Sequence, residues 1–111
     1  MNEREGCAVL ETCFREAGLD LERDYPFDEH GVKVNLDGYD PARRIGFEFI
    51  TTEAGDRAEF TDAVVAMLER RMAKGELYLL LVDEHEALTP EALRFAASGF
   101  LSRLREQRKL R

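Results

Sequence analysis

Val32, Val34 and Leu36 alternate with Lys33, Asn35 and Asp37, and further on Ile45, Phe47 and Phe49 alternate with Gly46, Glu48 and Ile50. Successive side chains on an extended strand point to opposite faces, so each run predicts a strand with one apolar face. Asp40-Pro41 lies between them. Proline presets the backbone angle for a type I turn and aspartate caps the bend, so the two runs read as an antiparallel hairpin.

The period changes on either side of this hairpin. Asn2 followed by Glu5 forms a capping box, and Leu10, Cys13, Phe14 and Ala17 keep helical spacing until Gly18 supplies a stop. Asp56 with Glu59 reads as a second capping box, opening a helix striped by Phe60, Val64, Met67, Leu68 and Met72 and ending near Gly75. Thr89-Pro90-Glu91 opens a third helix, amphipathic over about 89–108, carrying Leu93, Ala96, Ala97, Phe100, Leu101 and Leu104. Between the first helix and the hairpin, LDLERDYPFDEHG reads as a connector with one short edge strand. ELYLLLVDEH is the most continuous apolar run, the pattern of a central strand covered on both faces.

The order is helix, short strand, strand, strand, helix, strand, helix. A helix between the hairpin and the last strand is a crossover, which predicts a parallel neighbour in a small mixed sheet. The fold class is therefore α/β (α+β), with helices flanking the sheet on both faces or mostly on one.

The 111 residues suit a single domain, and 44% apolar composition suits a globular one. No apolar run is long enough to cross a bilayer, and MNEREGCAVL lacks the pattern of a secretory signal, so a cytoplasmic protein is expected. Cys7 and Cys13, six positions apart on one predicted helix, face different sides and cannot bridge each other there. They read as two reduced thiols packed as small hydrophobes. His30 and His85 stand apart from both and read as loop residues, so no structural metal knot is expected. The net charge of −7 divides into +4 from Arg103 onward, with five cations and one carboxylate, and −11 over residues 1–102. An acidic body disfavours broad nucleic-acid binding, and the basic tail reads as helix C-terminal cations fraying into water.

The polar faces of the hairpin carry the candidate chemistry. If both lie on the same side of the sheet, Asp37 and Glu48 approach across the ladder and offer oxygen ligands to Mg2+, which takes one or two carboxylates and keeps several waters. With the element order, LDGYDPARRIGFEFI resembles the core of the PD-(D/E)XK nuclease superfamily, over roughly residues 3–84. The resemblance implies a restriction-endonuclease-like fold, with Asp37 as the first metal-binding aspartate, Glu48 as the acid of the acid-x-Lys triplet, and Glu11 or Glu16 as an added acid from helix one. It also implies a lysine at position 50, where this chain has isoleucine. Lys33, on the neighbouring strand with the facing of Asp37, is the candidate replacement, although four residues of strand separate the two by about 13 Å.

Two readings follow. The favoured one is a non-catalytic, acidic protein-interaction module on a degenerate nuclease-like fold, of immunity or regulatory type, with a basic protein as partner and no cofactor. The alternative is a divergent Mg2+-dependent DNA nuclease using Asp37, Glu48 and Lys33. Phe95, Phe100 and Leu101 lie partly off the main stripe of the last helix and add homo-oligomerisation through that helix as a further expectation.

Overall fold

The computed structural model describes residues 1–110. Its elements are α1 (Glu3–Glu16), β1 (Glu22–Glu29), β2 (Val32–Asp40), β3 (Ile45–Ile50), α2 (Asp56–Glu59), α3 (Asp62–Ala73), β4 (Tyr78–Asp83) and α4 (Pro90–Glu106). One four-stranded sheet has the order β1-β2-β3-β4, with β1, β2 and β3 an antiparallel meander and β4 parallel to β3. The mixed sheet and crossover match the expectation from sequence. The connector between α1 and the hairpin, expected to hold one short strand, supplies the eight residues of β1.

Helices cover both faces. On one, Leu10 and Phe14 of α1 and Leu93, Ala97, Leu101 and Leu104 of α4 pack with Ile45, Phe47 and Phe49. On the other, Leu68 of α3 packs with Phe27, Val32, Val34, Leu36 and Ile50. The apolar faces of β2 and β3 therefore lie on opposite sides of the sheet. Phe14 joins the two helices of the first layer, its ring 5.1 Å from that of Phe47 and 5.8 Å from that of Phe100.

Local chemistry explains the helix ends. Asn2 Oδ1 accepts from Glu5 N–H at 2.8 Å while Asn2 N–H donates to Glu5 Oε1, and Gly18, at φ +93°, follows the helix end. Thr89 caps α4 by accepting from Ala92 N–H.

Three expectations need correction. The run expected mid-sheet is β4, an edge strand, and only Leu79 and Val82 within it are buried. Asp56 and Glu59 do not open the long crossover helix. They belong to the four-residue α2, the chain breaks at Phe60, and Thr61 caps α3 by accepting from Val64 N–H. The C-terminal tail does not fray directly after α4. Arg108 takes a φ of +60°, Lys109 N–H donates to Leu104 carbonyl oxygen, and Leu110 returns to the core.

Candidate functional site

The ladder between β2 and β3 is short: Gly38, Tyr39 and Asp40 pair with Phe47, Gly46 and Ile45. Beyond Gly38 and Phe47 the strands part, β2 continuing beside β1 alone and β3 beside β4. A parted ladder leaves backbone donors unpaired, and buried donors need acceptors. Carboxylates supply them. Asp37 N–H donates to Glu48 Oε1 at 2.8 Å, Phe49 N–H donates to Asp37 Oδ2 at 2.8 Å, and Asn35 N–H donates to Glu59 Oε2 at 3.1 Å. Asp56, the other acid of the misread capping box, accepts from Thr51 N–H at 3.0 Å.

The same place shows how Asp37 and Glu48 meet from strands of opposite facing. Leu36 and Tyr39 both belong to the α3-side cluster, although strict alternation would put residues three apart on different faces. The irregularity lies between them. Asp37 sits against α1, and a Cβ on Gly38 would fall 2.4 Å from the Phe47 ring on that same side. Asp24, opposite Asp37, is left out of the β1–β2 pairing and has a φ of +49°. Glu48, between two phenylalanines that face α1, starts from the α3 side and turns its carboxyl into the wedge.

Helix α1 closes the site. Gly6 is buried, and a Cβ there would lie 2.2 Å from Phe49 Cε2, so the missing side chain lets the helix descend onto β3. Glu3 and Cys7, four apart and so on one helical face, are carried to Asp37. One ligand atom from each of the three lies within 4.8 Å of the others. Cys7 Sγ donates to Glu3 Oε1 at 3.2 Å, and Thr51 Oγ1 donates to Glu3 Oε2 at 2.7 Å. The group opens to a cleft of about 410 Å3 whose lining includes Glu3, Cys7, Asp37, Arg4, Glu11 and Arg23.

Protonation follows from crowding acids away from water. Burial, then the neighbouring Asp37 and Asp56 carboxylates, push Glu48 far above the usual carboxylate range. Asp37 is raised by burial and by Glu3, against the Phe49 N–H that favours its charged form. Glu3 is raised chiefly by burial. Burial and the adjacent carboxylates also push the Cys7 thiol up. Glu48 is fully buried, and its Oε2 has no hydrogen-bond partner.

The structure thus brings Asp37 and Glu48 together and adds Glu3, Cys7 and Asp56, which sequence reasoning missed. Of the acids expected from helix one, Glu11 lines the cleft but is engaged by Arg23 at 2.6 Å and Arg15 at 3.1 Å, and Glu16 is exposed beside Arg94. Lys33 lines a separate groove with Pro26, Phe27 and Glu59, because it lies four residues up a strand that has left β3. Asp40 is buried as the turn cap, accepting from the backbones of Ala42, Arg43 and Asp20. His30 occupies the β1–β2 turn, and His85, also exposed, donates its backbone N–H to Asp83. The spacing of Glu3 and Cys7 was the available signal, but nothing local indicated that this face would meet β2.

Comparison with protein-family models, curated proteins and solved structures finds no match for this chain.

Proposed function

We propose that this domain is a non-catalytic, acidic protein-interaction module built on a degenerate nuclease-like core, of the kind that binds and restrains or regulates a basic protein. The meander followed by a crossover to a parallel fourth strand supports that core, as do acids from α1, β2 and β3 at one end of the wedge. The observation that carries the non-catalytic reading is Ile50. It is buried in the α3-side cluster, where the resemblance would place an ammonium group beside the acids. Among the described residues no lysine lines the cleft, and an isoleucine neither stabilises developing charge nor orients a nucleophile.

Leu88 and Phe95 are 71% and 83% exposed. Phe95 borders a groove of about 390 Å3 with Leu80, Leu81, Val82, Ala92 and Ala96, and such a patch on a surface of net charge −7 suits a partner with basic and apolar groups. Self-association through α4 is the homotypic version of this contact. Wild-type protein incubated with supercoiled plasmid or single-stranded DNA and Mg2+ or Mn2+ is expected to leave both intact. Cleavage by wild type that disappears in Glu48→Ala would overturn the proposal.

The second reading, a divergent Mg2+-dependent nuclease, draws on the convergence of Glu3, Asp37, Glu48 and Asp56. There, Asp37 and Glu48 would hold the ion and polarise a phosphate, while Arg4 on the cleft rim would take the charge-stabilising part assigned to Lys33. The same plasmid assay separates the two.

A further inference from the structure

Packing within one chain accounts for only one side of α4. Leu93, Ala97, Leu101 and Leu104 face the core, while Leu88, just before the helix, and Phe95, on its outer side, are 71% and 83% exposed. Gly99 follows Phe95 by one turn and so lies on the same face. Glycine inside a helix is unfavourable relative to alanine. Nothing in the chain requires it here, since a Cβ on Gly99 would meet Arg103 Nη1 at 3.6 Å, an ordinary contact. A projecting ring and a notch therefore stand side by side on an outward face, and the fold of one copy explains neither.

The charges of the helix are sorted by sign. Glu86 and Glu91 stand at its start and Arg103 and Arg105 near its end. They complement the helix dipole within one copy, and they also make the outer face bipolar. A parallel copy would set acid against acid, whereas an antiparallel copy sets each end against its complement.

We propose that the outer face of α4 is a homodimer interface, in which two copies pack antiparallel about a two-fold axis with Phe95 of each seated over Gly99 of the other.

The sequence of the helix fixes the register. Ala92, Phe95, Gly99 and Ser102 follow the alternating three- and four-residue spacing of a seam between helices. A two-fold axis near the middle of the helix sets Phe95 opposite the partner's Gly99 and Ala92 opposite the partner's Ser102, and the symmetry repeats both contacts. Glu91 and Arg105, two heptads apart, flank this seam on the same side, so the antiparallel register brings each Glu91 to the partner's Arg105. Within one copy Glu91 meets only Arg94, at 3.3 Å and with both side chains exposed, a pair that contributes little and is free to exchange. On the other side of the seam runs the groove of about 390 Å3, whose Ala92 and Ala96 wall the partner helix covers. The acidic body does not extend across this face, because α4 itself carries three arginines against two glutamates.

This inference rests on the reading of the α4 patch as a contact surface and deepens it by naming the occupant: a second copy supplies both the apolar and the basic groups that the patch suits. Sedimentation equilibrium of the full chain, from low to high micromolar concentration, is expected to show a monomer–dimer equilibrium. Gly99→Gln, which fills the notch with a good helix former, should weaken the dimer at least about tenfold without lowering the helix content. Glu91→Arg and Arg105→Glu should each weaken it at least about threefold, and mixing these two single variants should restore the affinity, because only the mixed dimer pairs opposite charges at both sites. Wild type that stays monomeric throughout overturns the dimer and leaves the patch to a different protein. An unchanged dimer in Gly99→Gln, or a mixture that associates no better than its components, also overturns it. The wild-type measurement decides even if a variant does not fold, and none of these outcomes bears on the non-catalytic reading, which the plasmid assay decides separately.

Discussion

Glu48 shows how much one side chain's surroundings govern its behaviour. Its Oε1 accepts the Asp37 N–H that lost a ladder partner, and its other oxygen lies among acids with no donor. Burial and those acids favour the protonated form, so glutamine reproduces both shape and charge. In chelator at neutral pH, Glu48→Gln is expected to unfold within about 1 kcal/mol of wild type. Glu48→Ala, which leaves a void and an unpaired Asp37 N–H, is expected to lose roughly 2–4 kcal/mol. Urea denaturation measures both. Gly6 belongs to the same scale, because a methyl group there meets the buried Phe49 ring at 2.2 Å. Gly6→Ala should destabilise by about 1–3 kcal/mol despite alanine's better helix propensity, again by urea denaturation. The residues of greatest chemical interest were only partly legible in the sequence. Asp37 and Glu48 stood out as acids in strands, whereas Glu3, Cys7 and Asp56 resembled ordinary helix and capping residues until packing assembled them.

At the scale of elements, β4 is placed differently from the expectation and β1 is longer than expected. The apolar run of β4 looked like a strand with neighbours on both sides, yet it is an edge whose faces are partly covered by helices. Its free side is blunted from within. Leu79 N–H reaches Met72 Sδ at 3.3 Å and Asp83 N–H reaches Glu86 Oε1 at 3.4 Å, which limits strand addition by another chain. The acidic connector, expected to hold one short edge strand, forms an edge strand of eight residues, because pairing with β2 and burial of Phe27 outweigh its poor strand composition. The end of β1 is clasped by Glu29, which accepts from Arg44 at 2.7 Å and Arg71 at 2.9 Å. Those guanidinium groups, against some desolvation, lower Glu29 from 4.5 to about 2. A lowered folded-state value means the stabilisation is present above about pH 4.5 and is lost as pH falls through 2. Urea midpoints between pH 2 and 6 should therefore drop more steeply on acidification for wild type than for Glu29→Gln. At pH 7 the variant should cost about 1 kcal/mol, the pair being partly screened by solvent.

For the whole molecule, the charge pattern and the surface left by packing matter most. No helix among the described residues is long and apolar enough to cross a membrane. Helix α4 cannot be removed to test association, since Leu93, Ala97, Leu101 and Leu104 belong to the core. A point change on its outer face can. Phe95→Glu should unfold within about 0.5 kcal/mol of wild type, because an 83% exposed ring adds little to the core. Light scattering on the same samples should show any self-association through this face lost in the variant.

The sequence by itself determined the order of the strands and long helices, the hairpin around Asp40-Pro41 and the crossover to a parallel strand, because side-chain periodicity, capping and turn preference are local. Only the tertiary structure decided that β2 and β3 turn their apolar faces to opposite sides, that β4 lies at an edge, and that Glu3, Cys7, Asp37 and Glu48 share one wedge. Those outcomes depend on how a ladder parts and how closely a helix descends on a glycine, and both are set by packing between segments distant in the chain.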